Sequence, residues 1–326
     1  MAINTGIIGL GDVDQLLQEV NSELSQRSIM PTTVAAQICW ERAASGGTAT
    51  IGKTTIFTVP FFANRAKVRS IYEEIQGTIP TVAKFASHVD EWAPDAELIP
   101  KYTQLTDIYG VVRDNAQIIL AMSAVEMETQ LSDLIGLGAS TVVDYDGKNF
   151  FATDHECNPN QPGLATFSNY KTSFDLNYAN VNTALDLLDA VPGPDGNPLS
   201  MPGTNLLICS TGIQEGAALT LANGQYIPSP AGTATQSNSL KGRFDVLKLT
   251  QLRRHNSGKF WCVVRIADAK NRPFSFSKAM APQMYLDGLA IDDHSQATRG
   301  VARQGWKSVH GFGYLWPQLI VGCVES

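Results

Sequence analysis

One run of residues matches a nucleotide-binding motif letter for letter. Gly47-Thr48-Ala49-Thr50-Ile51-Gly52-Lys53-Thr54 fits G-x-x-x-x-G-K-T. In that chemistry glycine amides cradle phosphates between a buried strand and a helix N-terminus, with the lysine on the phosphates and the threonine on magnesium. Here the context is inverted. The residues before it, Ala35 to Ala44, read as a helix, while Thr54-Thr55-Ile56-Phe57-Thr58-Val59 is β-branched and aromatic and meets Pro60. Val142-Val143-Asp144 is too short to be the strand that carries a magnesium-binding aspartate. A glycine-rich hinge is the better reading of 47–54, and a P-loop-type nucleotide-binding enzyme is the alternative.

A second cluster, Asp154-His155-Glu156-Cys157, holds four residue types that ligate metals or move protons. Consecutive side chains point in different directions, so they do not converge easily on one metal or share one proton. His88, His255, His294 and His310 are scattered, and there is no H-E-x-x-H, G-x-S-x-G or paired-cysteine motif. The sequence therefore assigns no catalytic residue, no metal site and no cofactor, and the chain does not read as an enzyme.

The bulk properties narrow the field further. With 326 residues, the length prior of about 150 residues per domain suggests two domains. At 44% hydrophobic and 17% charged, the chain is too apolar for disorder. Its net charge of −7 excludes a protein whose main task is coating phosphate backbones. Five cysteines (39, 157, 209, 262 and 323) are odd in number and lack any C-x-x-C pair, against a disulfide scaffold or structural zinc. No apolar run reaches the eighteen or so residues of a membrane span, and MAINTGIIGLGDVDQ has no basic segment before its apolar patch. The expectation is a soluble product, intracellular when made, with no membrane partner.

Several elements would position these residues. A helix is expected from Asp12, with Leu16, Leu17, Val20 and Leu24 on one face, and a second from Pro31 through Cys39 to Gly46-Gly47. From Arg42 to Tyr72 there is no acid, but Lys53, Arg65, Lys67 and Arg69 are basic; an acidic stretch (Asp90, Glu91, Asp95, Glu97) follows. The strongest helix signal runs from about Val111 to Ile135, about 35 Å long. Ala116, Leu120, Ala124, Met127, Leu131 and Leu134 form its stripe, Ile118, Met122 and Val125 widen it, and Met122 and Met127 read as core. Further on, Val181 to Leu188 and Gly212 to Leu221 read as helices. Asn205 to Cys209, Phe244 to Leu252 and Phe260 to Ile266 read as strands, the last two joined by a turn at Asn256-Ser257-Gly258. Thr298 to Val324 reads as long strands broken at Gly311, Gly313 and Pro317.

One segment is more specific. In Asp144-Tyr145-Asp146-Gly147-Lys148-Asn149-Phe150-Phe151-Ala152-Thr153-Asp154-His155, Asp146-Gly147 is a tight turn and Phe150-Phe151 are core anchors just after it. It resembles the DG-x-x-FF…H signature of the major head subunits of Mu-like bacteriophages, carried here by Asp146, Gly147, Phe150, Phe151 and His155. The helix at 111–135, Pro202-Gly203-Thr204 leading into LLICS, and Arg303 to Gly322 ending in PQLIVG are similar in order to the spine helix, axial domain and peripheral strand of the Hong Kong 97-like capsid fold.

The resemblance covers about two-thirds of the chain, from about Lys101 to the end, and implies an α+β fold with six regions. These are an N-terminal arm (1–45), an extended loop (46–100), a peripheral domain with the spine helix (101–175), an axial domain (176–290), a peripheral return strand (291–315) and a final strand returning to the axial domain (316–326). It further implies a major capsid protein of the virion, assembled in the host cytoplasm into hexamers and pentamers of an icosahedral head around double-stranded DNA. Its partner would be chiefly itself, with scaffold, portal and decoration proteins as further partners and the DNA enclosed non-specifically. The acid-free stretch is expected to leave its own subunit and lie on a neighbour, with Phe57, Phe61, Phe62, Arg65, Lys67 and Arg69 as intersubunit contacts.

Overall fold

Strands whose alternate residues are apolar on both faces set the architecture. In the computed structural model, residues 35–43, 53–60, 82–93, 97–100, 118, 122, 125–143, 145–194, 196–199, 201–228, 235–268, 271–287 and 301–326 are described. The strands of the first hundred residues are β1 (Cys39–Ala43), β2 (Lys53–Pro60), β3 (Val82–Trp92) and β4 (Glu97–Pro100). They are followed by β5 (His155–Glu156), β6 (Thr166–Phe167), β7 (Tyr170–Thr172), β8 (Thr204–Cys209), β9 (Tyr226–Pro228) and β10 (Thr235–Ser237). The last are β11 (Phe244–Lys248), β12 (Phe260–Ile266), β13 (Phe274–Asp287), β14 (Val301–Tyr314) and β15 (Ile320–Val324). The helices are α1 (Ala35–Ile38), α2 (125–136, with 118 and 122 also helical), α3 (Tyr178–Ala190) and α4 (Gly212–Asn223).

One sheet has the order β11-β8-β12-β15-β7 and is mixed: the edge strands β11 and β7 pair in parallel with β8 and β15 respectively, while β12 runs antiparallel to both β8 and β15. Its side chains divide by the two-residue period of a strand. Leu207, Cys209, Trp261, Val263, Val321 and Cys323 join a core with Val181, Leu185, Ala218 and Leu221 of α3 and α4. Leu206, Ile208, Phe260, Cys262, Val264 and Ile320, from the opposite face, join a second core with Leu131, Ile135, Phe150 and Phe151. Both faces are buried, which is why these segments read as nearly continuous apolar runs.

The other sheet has the order β1-β13-β14-β3-β2, with β4 also on β14. Its spine is the β13–β14 ladder, from Phe274 opposite Tyr314 to Asp287 opposite Arg303, with register shifts on either side of Met280. β3 pairs with β14 only over Asp90 to Trp92, and with β2 from Val82 to Val89. Beyond Asp90 the two form a ribbon. Phe85 holds that ribbon down: its ring lies edge-on to Trp316 at 4.8 Å and stacks on Tyr145 at 6.3 Å.

Several sequence expectations are met, including the strands at 53–60, 204–209 and 260–266, and α3 and α4. Others need correction. The helix expected through Cys39 ends at Ile38, and Cys39–Ala43 pairs in parallel with Phe274–Lys278. A short helix is marginal alone, and an open sheet edge offers its backbone better partners. The acid-free stretch has a partner strand outside itself: its described part, 53–60, pairs antiparallel with 82–89, whose Phe85 is in the core. Phe244 to Leu252 is a strand only to Lys248; Thr250–Arg254 is a 3-10 helix whose first N–H, that of Thr250, donates to Glu128 of α2 at 3.0 Å. Nor are β11 and β12 neighbours, because β8 lies between them. Gly311 and Gly313 do not break β14, since Ser277 and Ser275 hold them in the ladder; the break comes at Pro317.

The long helix is amphipathic, but in a different sense from the one expected. Met127, Leu131 and Ile135 are buried and Leu134 packs against them. Ile118, Met122 and Val125 are 56%, 52% and 49% exposed, so Met122 is not core. At 100° per residue they occupy the opposite side, and a helix apolar on two sides cannot bury both against one layer. The first expected helix, Leu120 and most of 101–124 lie outside the described residues. Leu131→Ala should destabilise the subunit by about 2–5 kcal/mol, whereas Met122→Ser should change it by no more than about 0.5 kcal/mol; urea unfolding of both variants tests the assignment of faces.

Candidate functional site

The described residues contain no group of three or more His, Cys, Asp or Glu side chains arranged to hold a metal, and no described helix is long and apolar enough to cross a membrane. Lys53 and Thr54 open β2 rather than a helix, so the glycine segment before them lacks the helix N-terminus a phosphate requires. What the structure does assemble is the signature segment.

The turn is built from its backbone outward. Val143 N–H donates to Lys148 O at 2.8 Å and Gly147 N–H to Val143 O at 3.1 Å, closing a tight loop. Gly147 has φ of +74°, a conformation that costs glycine little and other residues more. Asp146 Oδ1 accepts from Lys148 N–H at 3.2 Å, and its Oδ2 accepts from Glu156 N–H at 3.2 Å. Oδ2 also lies 2.7 Å from His155 Nδ1, and both side chains are out of water. His155 Nε2–H donates to Phe150 O at 3.1 Å. Both imidazole nitrogens thus face oxygen acceptors. Burial alone would raise the Asp146 carboxyl, but the His155 hydrogen bond and charge, with the Lys148 and Glu156 N–H groups, hold it below its ordinary value.

The aromatic pair fills the space behind. Phe150 lies 4.5 Å from Tyr314 and 5.3 Å from Phe274, and Phe151 lies 5.6 Å from Phe260. The Phe151 ring also rests against two glycines. A Cβ on Gly138 would approach it to 2.6 Å, and one on Gly322 to 2.8 Å. All five signature residues, Asp146, Gly147, Phe150, Phe151 and His155, are therefore brought together, with the last three buried.

Sequence reasoning missed the residues that lock this unit in place. Asn169 donates through Nδ2 to Phe150 O (2.8 Å) and Pro317 O (3.1 Å), and its Oδ1 accepts from Ala152 N–H (2.9 Å). Gln318 donates to Tyr145 Oη, and that hydroxyl donates to the carbonyls of Glu156 and Cys157. Gln318 could have been noticed, as the one polar residue within Leu315-Trp316-Pro317-Gln318-Leu319-Ile320-Val321. Phe85 and Asn169 carry no such signal. Of the expected intersubunit contacts, Phe57 sits opposite Phe85 in the β2–β3 register, while Phe61, Phe62, Arg65, Lys67 and Arg69 lie outside the described residues.

A second buried histidine joins three elements. His310 of β14 accepts at Nδ1 from Ser308 Oγ at 3.0 Å, and its Nε2–H donates to Gln130 Oε1 of α2 at 2.9 Å. Trp92 of β3 stacks on its ring and donates to its carbonyl at 3.1 Å. Burial depresses the imidazole to about 4, which keeps it neutral. Neither histidine cluster reaches solvent, and each ring nitrogen is already occupied, so what they supply is cross-linking of elements, not proton transfer to a substrate.

No protein family model matches the chain, and no curated protein matches it. Solved structures do. The capsid of cyanophage P-SCSP1u superposes with a TM-score of 0.56 at 14% identity, over 90% of this chain and 88% of that one. The capsid of an empty GTA particle gives 0.57 at 10% identity, over 90% of each chain. A chain from Mycobacterium phage Patience gives 0.53 at 9%, over 98% of this chain and 89% of that one. The chain has the phage capsid fold.

Two measurements test the site. Asp146→Ala removes the acceptor that faces His155 Nδ1 and the Lys148 and Glu156 N–H groups, leaving buried donors unpaired, and should cost about 1–3 kcal/mol in unfolding free energy; no measurable loss would contradict the pairing. For His310, the unfolded chain takes up a proton below pH 6.5 while the folded chain resists until about 4. Its contribution is therefore complete above pH 6.5 and drains away as pH falls toward 4, by as much as ~3 kcal/mol. That acid-dependent loss should shrink in His310→Gln.

Proposed function

We propose that this chain is the major capsid protein of a tailed phage, a non-enzymatic subunit that builds hexamers and pentamers of an icosahedral head around double-stranded DNA. The observation that carries this reading is the match to phage capsid structures across nine-tenths of both chains. The signature at Asp146 to His155 supports a place near the Mu-like group. On this reading the sheet flanked by α3 and α4 belongs to the axial domain and α2 with β14 to the peripheral domain; β13, expected within the axial region 176–290, goes with the peripheral domain because it pairs along β14. The ribbon of β2 and β3 is the base of the extended loop, and residues 1–45 begin as the arm.

The physical properties suit the role. A net charge of −7 encloses DNA without gripping it. Buried polar clusters such as Asp146–His155 and Ser308–His310–Gln130 keep each subunit rigid while many copies make different contacts. Scaffold, portal and decoration proteins are the further partners this role admits, in a virion assembled in the host cytoplasm. A nucleotide-binding enzyme is not favoured, because Lys53 and Thr54 are strand residues.

Negative-stain micrographs of the purified protein, at high protein concentration and with its own phage's scaffold supplied, should show rings or closed shells; only monomers would overturn the proposal. Reversing charge at Arg65 and Arg69 together should cut shell yield while leaving the unfolding midpoint unchanged, because the acid-free segment finds its carboxylates on another subunit. Normal shells from that double variant would remove 61–72 from the contact.

A further inference from the structure

The capsid reading leaves open which surfaces meet, and the outer side of α4 carries that question further. This helix turns Gln214, Ala218, Leu221 and Ala222 inward. Its other side presents Gly212, Ile213, Gly216, Leu219 and Thr220, all exposed. Ile213 is 88% exposed, the highest value of any large apolar residue among the described residues. The helix has one ionisable residue, Glu215, and Lys248 neutralises it at 2.8 Å. The face is therefore apolar and carries no net charge.

Beside it lies an apolar cavity of about 610 Å³, walled by Leu176, Tyr178, Ala217, Leu221, Ile227 and Gln236. Ile213 and Ala217 are one helical turn apart in the same row, as are Ala217 and Leu221. Ile213 therefore stands just beyond the cavity's α4 wall, unable to fill it, while Tyr226, 61% exposed, flanks Ile227 on the other side. Among the described residues, nothing covers this apolar knob or the apolar hole beside it.

We propose that this face is a contact between copies of this chain, with Ile213 of one subunit seated in the cavity of the next. The inference rests on the capsid reading. Knob and hole are both apolar and belong to one chain, so a second copy offers each its complement, and on this neutral face two copies of net charge −7 meet without like-charge repulsion. DNA would need cations here, and a basic partner would need acids. Seating one subunit's knob in the next subunit's hole without the reciprocal contact is heterologous, and repeating it generates a ring if the rotation closes; a reciprocal seating would instead stop at the dimer.

The test places cysteines at both halves of the contact, Ile213→Cys with Gln236→Cys, in a chain whose five native cysteines are all buried. Oxidising assembled particles should give a covalent ladder extending past the dimer, absent from either single variant. Ile213→Asp, and separately Ala217→Trp to fill the cavity, should each lower shell yield at least tenfold with the unfolding midpoint of the unassembled subunit unchanged. Normal shells from both variants, no ladder, a ladder that stops at the dimer, or cross-linking to a different protein would overturn the inference and leave the capsid reading standing. If the wild-type protein forms no shell under any condition, the capsid reading fails instead; a ladder past the dimer from soluble protein would then still support the contact, and its absence would overturn it.

Discussion

The ring of Phe151 lies so close to Gly138 and Gly322 that neither position has room for a side-chain carbon. Gly138 follows the end of the long helix, and Gly322 lies in the last strand. Phe151 is the second of the two aromatic anchors that follow the Asp146-Gly147 turn. The end of the long helix, the aromatic pair and the distant last strand are thus fixed at one point, with Phe260 of a central strand packed against the same ring. Close packing of this kind tolerates little change in volume, because a missing or added methyl has nowhere to relax.

Around that point the chain buries polar groups, and it does so by pairing them. Asn169 ties Phe150 to Pro317, Asp146 faces His155, Gln318 and Tyr145 bridge to the carbonyls of 156 and 157, and Gln130 meets His310. An unpaired buried polar atom costs about 1–3 kcal/mol, so these groups tolerate only one arrangement of the elements that carry them. The result is a subunit whose two sheets and long helix are held as one body.

Rigidity inside is matched by uncovered apolar surface outside. Ile118, Met122 and Val125 on the long helix, and Ile213, Leu219 and Tyr226 on the other side of the fold, lie open in the isolated chain. Contiguous apolar surface of this sort marks protein contacts. The same chain carries enough negative charge to keep copies apart elsewhere.

Much of this was legible in the residues alone. Short, nearly continuous apolar runs identified the central strands, and helical apolar spacing at Val181, Ala184, Leu185 and Leu188 identified α3, because those patterns arise from local backbone geometry and burial. The Asp146-Gly147 turn and its Phe-Phe anchors were legible for the same reason, and the neighbouring His155 was marked by resemblance. Tertiary structure alone decided the rest. Cys39–Ala43 became a strand because a sheet edge was available to it; Thr250–Arg254 left its strand because Glu128 captured its first N–H; and β8 came between β11 and β12. The long helix had two apolar sides, and only packing determined which was core. Phe85, Asn169 and Gln318 gained their roles from partners as much as 231 positions away, as with Phe85 and Trp316. No local pattern encodes such partners, because the hydrogen bonds and ring contacts that select them exist only once the chain has folded.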